Sequence, residues 1–202
     1  MGPDDEGDGE LTVVDRLEGL LGEYAAAREW TLRLYGDLTE EQVCWRPSEH
    51  GSGIGWHLGH QAAVNHFLVR NLVAAEPSLN PAFDSLFDSA TDESLRGLLP
   101  PLDELVAFRE AVAERTRSRV EAVMRGDVGA PVQLREVAAV LLTALVNHEY
   151  QHSCWIGEVR DILGVSGAPA PASTGVVQID GYWVLTLGQN VTTQSGLTLN
   201  TG

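Results

Sequence analysis

The fold is decided by the longest helical pattern in the chain, which spans residues 133–163 and reads QLREVAAVLLTALVNHEYQHSCWIGEVRDIL. Apolar residues recur there at steps of three and four residues, which is the spacing of one face of an α-helix, and Gly164 is a typical C-terminal stop. The face consists of Val137, Leu141, Leu145, His148, His152, Trp155, Ile156 and Val159. Two histidines therefore lie on the apolar face of a long helix.

His148 and His152 are candidate metal ligands because of their spacing. Residues four apart on a helix lie one turn and about 40° apart, so both rings can reach one cation. Unpaired polar rings are costly inside a core, which favours a bound metal ion. Hydrogen-bonded core histidines are the competing interpretation.

A third ligand is expected from another helix, predicted over residues 54–75, which begins with the segment Trp56-His57-Leu58-Gly59-His60. His60 is favoured over His57, because it shares a face that is predicted to point inward, whereas His57 lies about 60° to one side. The predicted inward face carries Trp56, His60, Val64 and Phe67. His66 lies about 120° from His60 and is expected at the surface.

The segment His148-Glu149-Tyr150-Gln151-His152 also matches the HExxH motif, in which the glutamate is the general base of a zinc peptidase. The remaining features of zinc peptidases are missing, because Trp155 stands where one type has glycine and no glutamate follows Glu158 to serve as a ligand. A peptidase would also leave the buried His60 unexplained. A zinc peptidase is therefore the less favoured alternative, and Glu149 is interpreted as a hydrogen-bonding neighbour or a surface residue.

Two further helical patterns, over residues 11–34 and 103–124, complete a set of four long helices. A short helix is predicted at Thr39–Gln42, where Thr and Gln form a capping box. Residues 76–101 contain four prolines and are predicted to be a long connection. The pattern as a whole predicts an all-α protein with a four-helix bundle over residues 11–164.

The chain outside the bundle differs in composition. Residues 1–10 are acidic and are expected to form a disordered tail, and residues 165–175 read as a Gly/Ala/Pro linker. Residues 176–202 are predicted to form a short β-strand tail, with a hairpin around Asp180-Gly181 and a further strand over 191–199. A tail of this size is too small to be a domain, so we expect it to pack on the bundle or on a partner chain.

Charge and composition narrow the possible partners and compartment. The chain has 202 residues with 13 Lys and Arg against 29 Asp and Glu, which gives a net charge of −16. This balance argues against nucleic acid and anionic membranes as partners. Two cysteines, Cys44 and Cys154, are too few for a disulfide framework and are interpreted as buried small side chains. Neither a signal peptide nor a membrane span is found, so a cytoplasmic protein is expected.

The segments 56–60 and 148–152, in this order and helical context, resemble the DinB-like (DinB/YfiT-type) metalloprotein superfamily. The resemblance covers about residues 11–164 and is strongest to the branch that includes the N-terminal domain of ergothioneine-type sulfoxide synthases. It implies a four-helix bundle with a crossover connection and a metal site of three histidines. Carried over onto this sequence, the ligands are His60, His148 and His152, and the metal is zinc, nickel or iron.

The resemblance also implies a class of activity. Sulfoxide synthases complete their site with a large second domain, whereas only 38 residues follow Gly164 here, so that activity is not expected. Other members use bacillithiol or mycothiol, which implies a thiol-dependent S-transferase or isomerase acting on a small electrophile. The resemblance also implies a homodimer. Trp56 and Gln151 are candidate pocket-lining residues, and no catalytic residue is assigned. A non-catalytic metal-binding stress or structural protein is the alternative from a different class.

Overall fold

The computed structural model describes residues 12–73, 76–127, 133–186, 191–192 and 198–199. Four long helices form its bundle: α1 (Val13–Tyr35), α3 (Ile54–Val73), α5 (Leu102–Arg125) and α6 (Gln133–Ile162). Each of them agrees with a predicted helix to within a few residues. The predicted all-α four-helix bundle is thus confirmed, and the acidic residues 1–10 lie outside the described part of the chain.

Short helical segments fill the two long connections of the bundle. Helix α2 (Glu40–Cys44) has the predicted capping box, in which the Thr39 hydroxyl accepts from the Gln42 N–H and the Gln42 side chain accepts from the Thr39 N–H. Helix α4 (Pro81–Leu86) and a 3₁₀ turn (Glu93–Gly97) lie between α3 and α5.

The packing order of the long helices differs from their order in the chain. Helix α1 packs mainly on α6, whereas α3 packs on α5 and α6. The connection over residues 36–53 therefore crosses an end of the bundle, as the crossover topology requires.

The core lies between these four helices and is mainly aliphatic. Its fully buried side chains include Leu17, Leu20, Leu34, Leu58, Leu105, Leu142, Leu145 and Ile156. Two predictions for α3 are wrong. Phe67 is 57% exposed, because the core face of α3 runs through Leu58 and Asn65 rather than through Phe67. His66 is only 1% exposed, because the chain after α3 folds over it and the Leu79 N–H donates to its Nε2.

The tail after Gly164 packs on the bundle of its own chain. Strands β1 (Val176–Ile179) and β2 (Tyr182–Leu185) pair antiparallel, and β2 contacts α6. The predicted turn is present, with positive φ angles at Asp180 (49°) and Gly181 (90°), as a type I′ turn requires. The sequence pattern predicts a single further strand over 191–199. The described residues of this range instead form two short strands, β3 (Val191–Thr192) and β4 (Thr198–Leu199), which pair antiparallel with each other.

None of the helices in the described part of the chain is both long and apolar enough to cross a membrane.

Candidate metal centre

Three histidines from two helices meet between α3 and α6. One ring nitrogen from each of His60, His148 and His152 lies within 4.8 Å of the others. The ring centroid of His152 is 4.7 Å from that of His60 and 4.4 Å from that of His148. The structure thus brings together the three residues that the sequence suggested as ligands, and a single ion between them can contact all three.

The position of His60 depends on the glycine before it. A Cβ atom at Gly59 would lie 2.2 Å from the ring of Phe87, so only glycine lets this ring pack directly on α3. Phe87 also holds His60 in place, because its carbonyl oxygen accepts a hydrogen bond of 2.7 Å from the Nδ1–H of His60. This bond leaves Nε2 of His60 as the nitrogen that is free to bind a metal ion.

His57 supports the cluster from behind rather than joining it. Its Nδ1 lies 2.9 Å from Nδ1 of His152, and both rings are buried. One of the two nitrogens must donate and the other accept. If His152 binds metal through Nε2, its Nδ1 carries the proton and His57 accepts it, which is the role that outer residues play around metal-binding histidines.

The donor set fits a divalent ion of the zinc, nickel or iron type. Burial lowers the pKa of His148 to about 4 and that of His57 to about 3, and neighbouring histidines add to the effect. The pKa values of His60 and His152 are lowered as well, again chiefly by burial. All four rings are therefore neutral near pH 7, with lone pairs available. The buried Nδ1 of His148 has no hydrogen-bond partner among the described residues, so a hydrogen-bonded core does not account for this ring.

The two candidate pocket-lining residues lie on different sides of the cluster. Trp56 is buried and stacks on His60, with ring centroids 4.7 Å apart. The guanidinium of Arg96 lies 4.3 Å from the Trp56 ring centroid and closes this side. Gln151 is exposed and, with His148, lines a cleft of about 320 Å³ between α6 and β2, here called the hairpin cleft. The hairpin cleft therefore meets the cluster at His148, on the side of Gln151.

Glu149 points away from the histidines into the centre of the bundle. Its Oε1 accepts from Nη2 of Arg109 on α5 over 2.7 Å and from the Thr31 hydroxyl on α1 over 2.9 Å. Arg109 and Glu149 are only 4% and 1% exposed. The Arg109 Nη1 also donates to Gln61 of α3, so this buried ion pair connects all four long helices. Glu149 is thus engaged in structure and is not placed as a general base.

Sequence reasoning missed the network around Glu149. A signal for one member exists, because Arg109 stands four residues after Leu105 and three before Val112, both on the apolar face of α5. A charged residue on such a face needs a buried partner. The identity of that partner, on a helix distant in sequence, is not encoded in any local pattern.

The fold and the cluster define a helical bundle with a three-histidine site, able to hold a metal ion, between its second and last long helices. The family model described as the DinB superfamily matches residues 23–156, which include all three histidines. The chain therefore belongs to the DinB superfamily, as its motifs suggested. The match does not identify the sulfoxide synthase branch, which stays a prediction. A search of curated proteins gave no significant match.

Proposed function

We propose that the protein is a metal-dependent and thiol-dependent S-transferase or isomerase that acts on a small electrophile. The observation that supports it most is the cluster of three neutral imidazoles, which is the ligand set of sites that keep a coordination position open for a reactant. An ion of zinc, nickel or iron held there would act as a Lewis acid and would ionise a coordinated thiol near neutral pH.

The chain's own residues hold, orient and shield the site. His60 and His152 are fixed by their bonds to Phe87 and His57, so their free nitrogens face the cluster. Trp56 shields one side. In the reaction, the thiol sulfur bonds to the electrophilic carbon, the leaving group departs with its electron pair, and the thiol proton passes to solvent. Bacillithiol and mycothiol are the candidate thiols.

Glu149 supports this proposal over peptide hydrolysis. A peptidase of the HExxH type needs the glutamate to take a proton from a water molecule at the metal. Here that carboxylate is bound to Arg109 and Thr31 inside the bundle.

The test offers bacillithiol or mycothiol together with monochlorobimane to protein purified without an affinity tag, whose metal content has been measured. We expect metal-dependent conjugation that His148→Ala abolishes. His50→Ala is the matched control, because His50 is exposed and lies outside the cluster. Casein cleavage without thiol conjugation would favour the peptidase, and a fully loaded protein with neither activity would favour the non-catalytic alternative.

Bound metal tests the ligand set itself. Alanine at His60, His148 or His152 should each remove most of the bound metal, because a single remaining pair is a much weaker site. His57→Ala should retain more metal than these three variants. Full occupancy in His60→Ala with loss in His57→Ala would show that the two residues have been assigned the wrong way round.

A further inference from the structure

The hairpin cleft begins at one of the three clustered histidines. Its volume of about 320 Å³ is at the lower end of small-molecule sites, which span roughly 300–1,000 Å³. One face of α6 forms one wall and strand β2 forms the other. The lining residues are Ala144, Asn147, His148, Gln151, Tyr182, Trp183 and Val184. A small organic molecule in the cleft would therefore have one end beside His148.

The strand wall of the cleft is held in place by specific contacts. The Leu185 N–H donates to Oδ1 of Asn147 over 2.8 Å, and the Leu185 side chain is buried. Trp183 packs edge-on against Trp30 of α1, with ring centroids 6.5 Å apart. Because the oxygen of Asn147 is already engaged, its amide hydrogens remain to donate to a ligand.

The chemistry of the lining selects against charge. Among the described residues, no charged side chain lines the cleft, although the chain as a whole carries a net charge of −16. Without a metal ion at the cluster, a charged ligand would therefore lose hydration there without gaining a partner. The amides of Asn147 and Gln151 and the Tyr182 hydroxyl supply hydrogen bonds, while the aromatic rings supply a flat apolar surface.

We propose that the hairpin cleft binds the electrophilic substrate, an uncharged ring compound with hydrogen-bond acceptors on its edge, and that Tyr182 and Gln151 determine its specificity. The proposal rests on the proposed function, because it places the electrophile beside the histidine cluster where the thiol is ionised. It gives the C-terminal hairpin the role of a substrate wall.

The test measures binding without reaction. The probe is syn-dimethylbimane, an unreactive, uncharged and planar ring with two carbonyl oxygens, titrated into the metal-loaded full-length protein and followed by fluorescence. Tyr182→Ala and Gln151→Ala should each raise the dissociation constant of the probe by about five- to tenfold, which is the effect of one lost hydrogen bond or ring contact. Gln178→Ala is the matched control, because Gln178 is exposed on β1 and does not line the cleft.

Further measurements separate this proposal from the proposed function. Bound metal should be equal in all variants, and a carboxylated bimane should bind the metal-free protein at least tenfold more weakly than the neutral one does. Gln151 is exposed on α6, so its variant folds even if Tyr182→Ala does not. The cleft proposal is overturned if the wild type shows no saturable binding, if Gln151→Ala and a folded Tyr182→Ala both bind as well as the wild type, or if the carboxylated probe binds the metal-free protein as tightly as the neutral probe does. Binding that follows our expectation, with no thiol conjugation, would overturn the proposed chemistry and leave the cleft supported.

Discussion

At the scale of single residues, the site depends on which nitrogen of each imidazole carries the proton. The Phe87 carbonyl sets this for His60, and His57 sets it for His152. A carbonyl oxygen can only accept a hydrogen bond, whereas a neutral histidine can donate or accept one. The contact between His57 and His152 is therefore more adaptable than the contact between Phe87 and His60.

His57 should therefore control metal affinity without being a ligand. His57→Phe removes the acceptor for His152, and we expect the affinity for Zn²⁺ to fall by about 10- to 100-fold, as measured by chelator competition. His57→Asn should recover much of the loss, because its Oδ1 can occupy the place of the ring Nδ1, and the absorption spectrum of bound Co²⁺ should show the same order. Equal affinity in the Phe variant and the wild type would mean that the contact with His152 has no function.

The same buried rings make the metal-free protein sensitive to acid. The pKa of His57 is about 3 and that of His148 is about 4 in the folded chain, because both are buried, against 6.5 when unfolded. Below pH 6.5 the unfolded chain takes up protons that the folded chain does not, so this stability is present above pH 6.5 and is lost as the pH falls towards 4. We expect the Tm to drop by at least about 5 °C between pH 7.5 and pH 5.5.

Circular dichroism melting of the metal-free protein checks this expectation. His50→Asn should give the same pH dependence as the wild type, because His50 is exposed. A Tm that is constant or rises towards pH 5.5 would contradict the expectation.

At the scale of helices, the pair of Arg109 and Glu149 fixes how α5 and α6 meet α1 and α3. Arg109→Leu leaves Glu149 buried without its partner, and we expect a loss of about 3–5 kcal/mol in the free energy of unfolding, measured with urea. Replacing both by Leu should cost less than the sum of the single changes. Arg117→Ala should change the free energy of unfolding far less than Arg109→Leu, because its ion pairs with Glu114 and Glu121 are exposed. A small loss in Arg109→Leu would show that the pair does not hold the bundle together.

Some features of the fold and of the site follow from local sequence patterns, whereas others depend on contacts between distant segments. The helices and the pair of His148 and His152 could be predicted, because periodicity and spacing within one helix are local properties. His60 could be predicted as their partner from its face of α3 and from the resemblance to the DinB superfamily. The burial of His66 could not, because it depends on how the connection before α5 folds over α3. The exposure of Phe67 could not either, because it depends on which face of α3 packs on α5 and α6. The bond between His57 and His152 joins residues distant in sequence and leaves no local pattern.

At the scale of the whole molecule, one apolar surface remains on α6 beyond the hairpin. It is lined by Val137, Val140, Leu141 and Ala144, with Val140 72% and Val137 51% exposed, and by Glu136, whose carboxylate pairs with Arg16. A mainly apolar strip offers little to charged partners, whereas a second copy of the chain across a two-fold axis would bury its exposed valines. We expect the protein to be a homodimer that pairs through this strip.

Light scattering on two matched variants tests the dimer. Val140→Glu places a charge in the strip and should yield monomers, because two such charges would face each other. Leu98→Glu should remain dimeric, because Leu98 is 64% exposed but lies in the connection before α5. A monomeric wild type, or a Val140→Glu variant that stays dimeric, would exclude this surface as the interface.

The bond between Leu185 and Asn147 has a consequence for the order in which the molecule is completed. His60, His148 and His152 all precede the hairpin in the chain, so a ribosome synthesises the whole histidine cluster before the strand that covers α6 beside it. A nascent chain whose residues up to Gly164 have left the ribosome, while the hairpin is still inside the exit tunnel, thus presents an ion with a wider approach to His148 than the finished protein does. The natural time for metal to enter is before the last strand closes, and metal supplied during synthesis should load more readily than metal added afterwards.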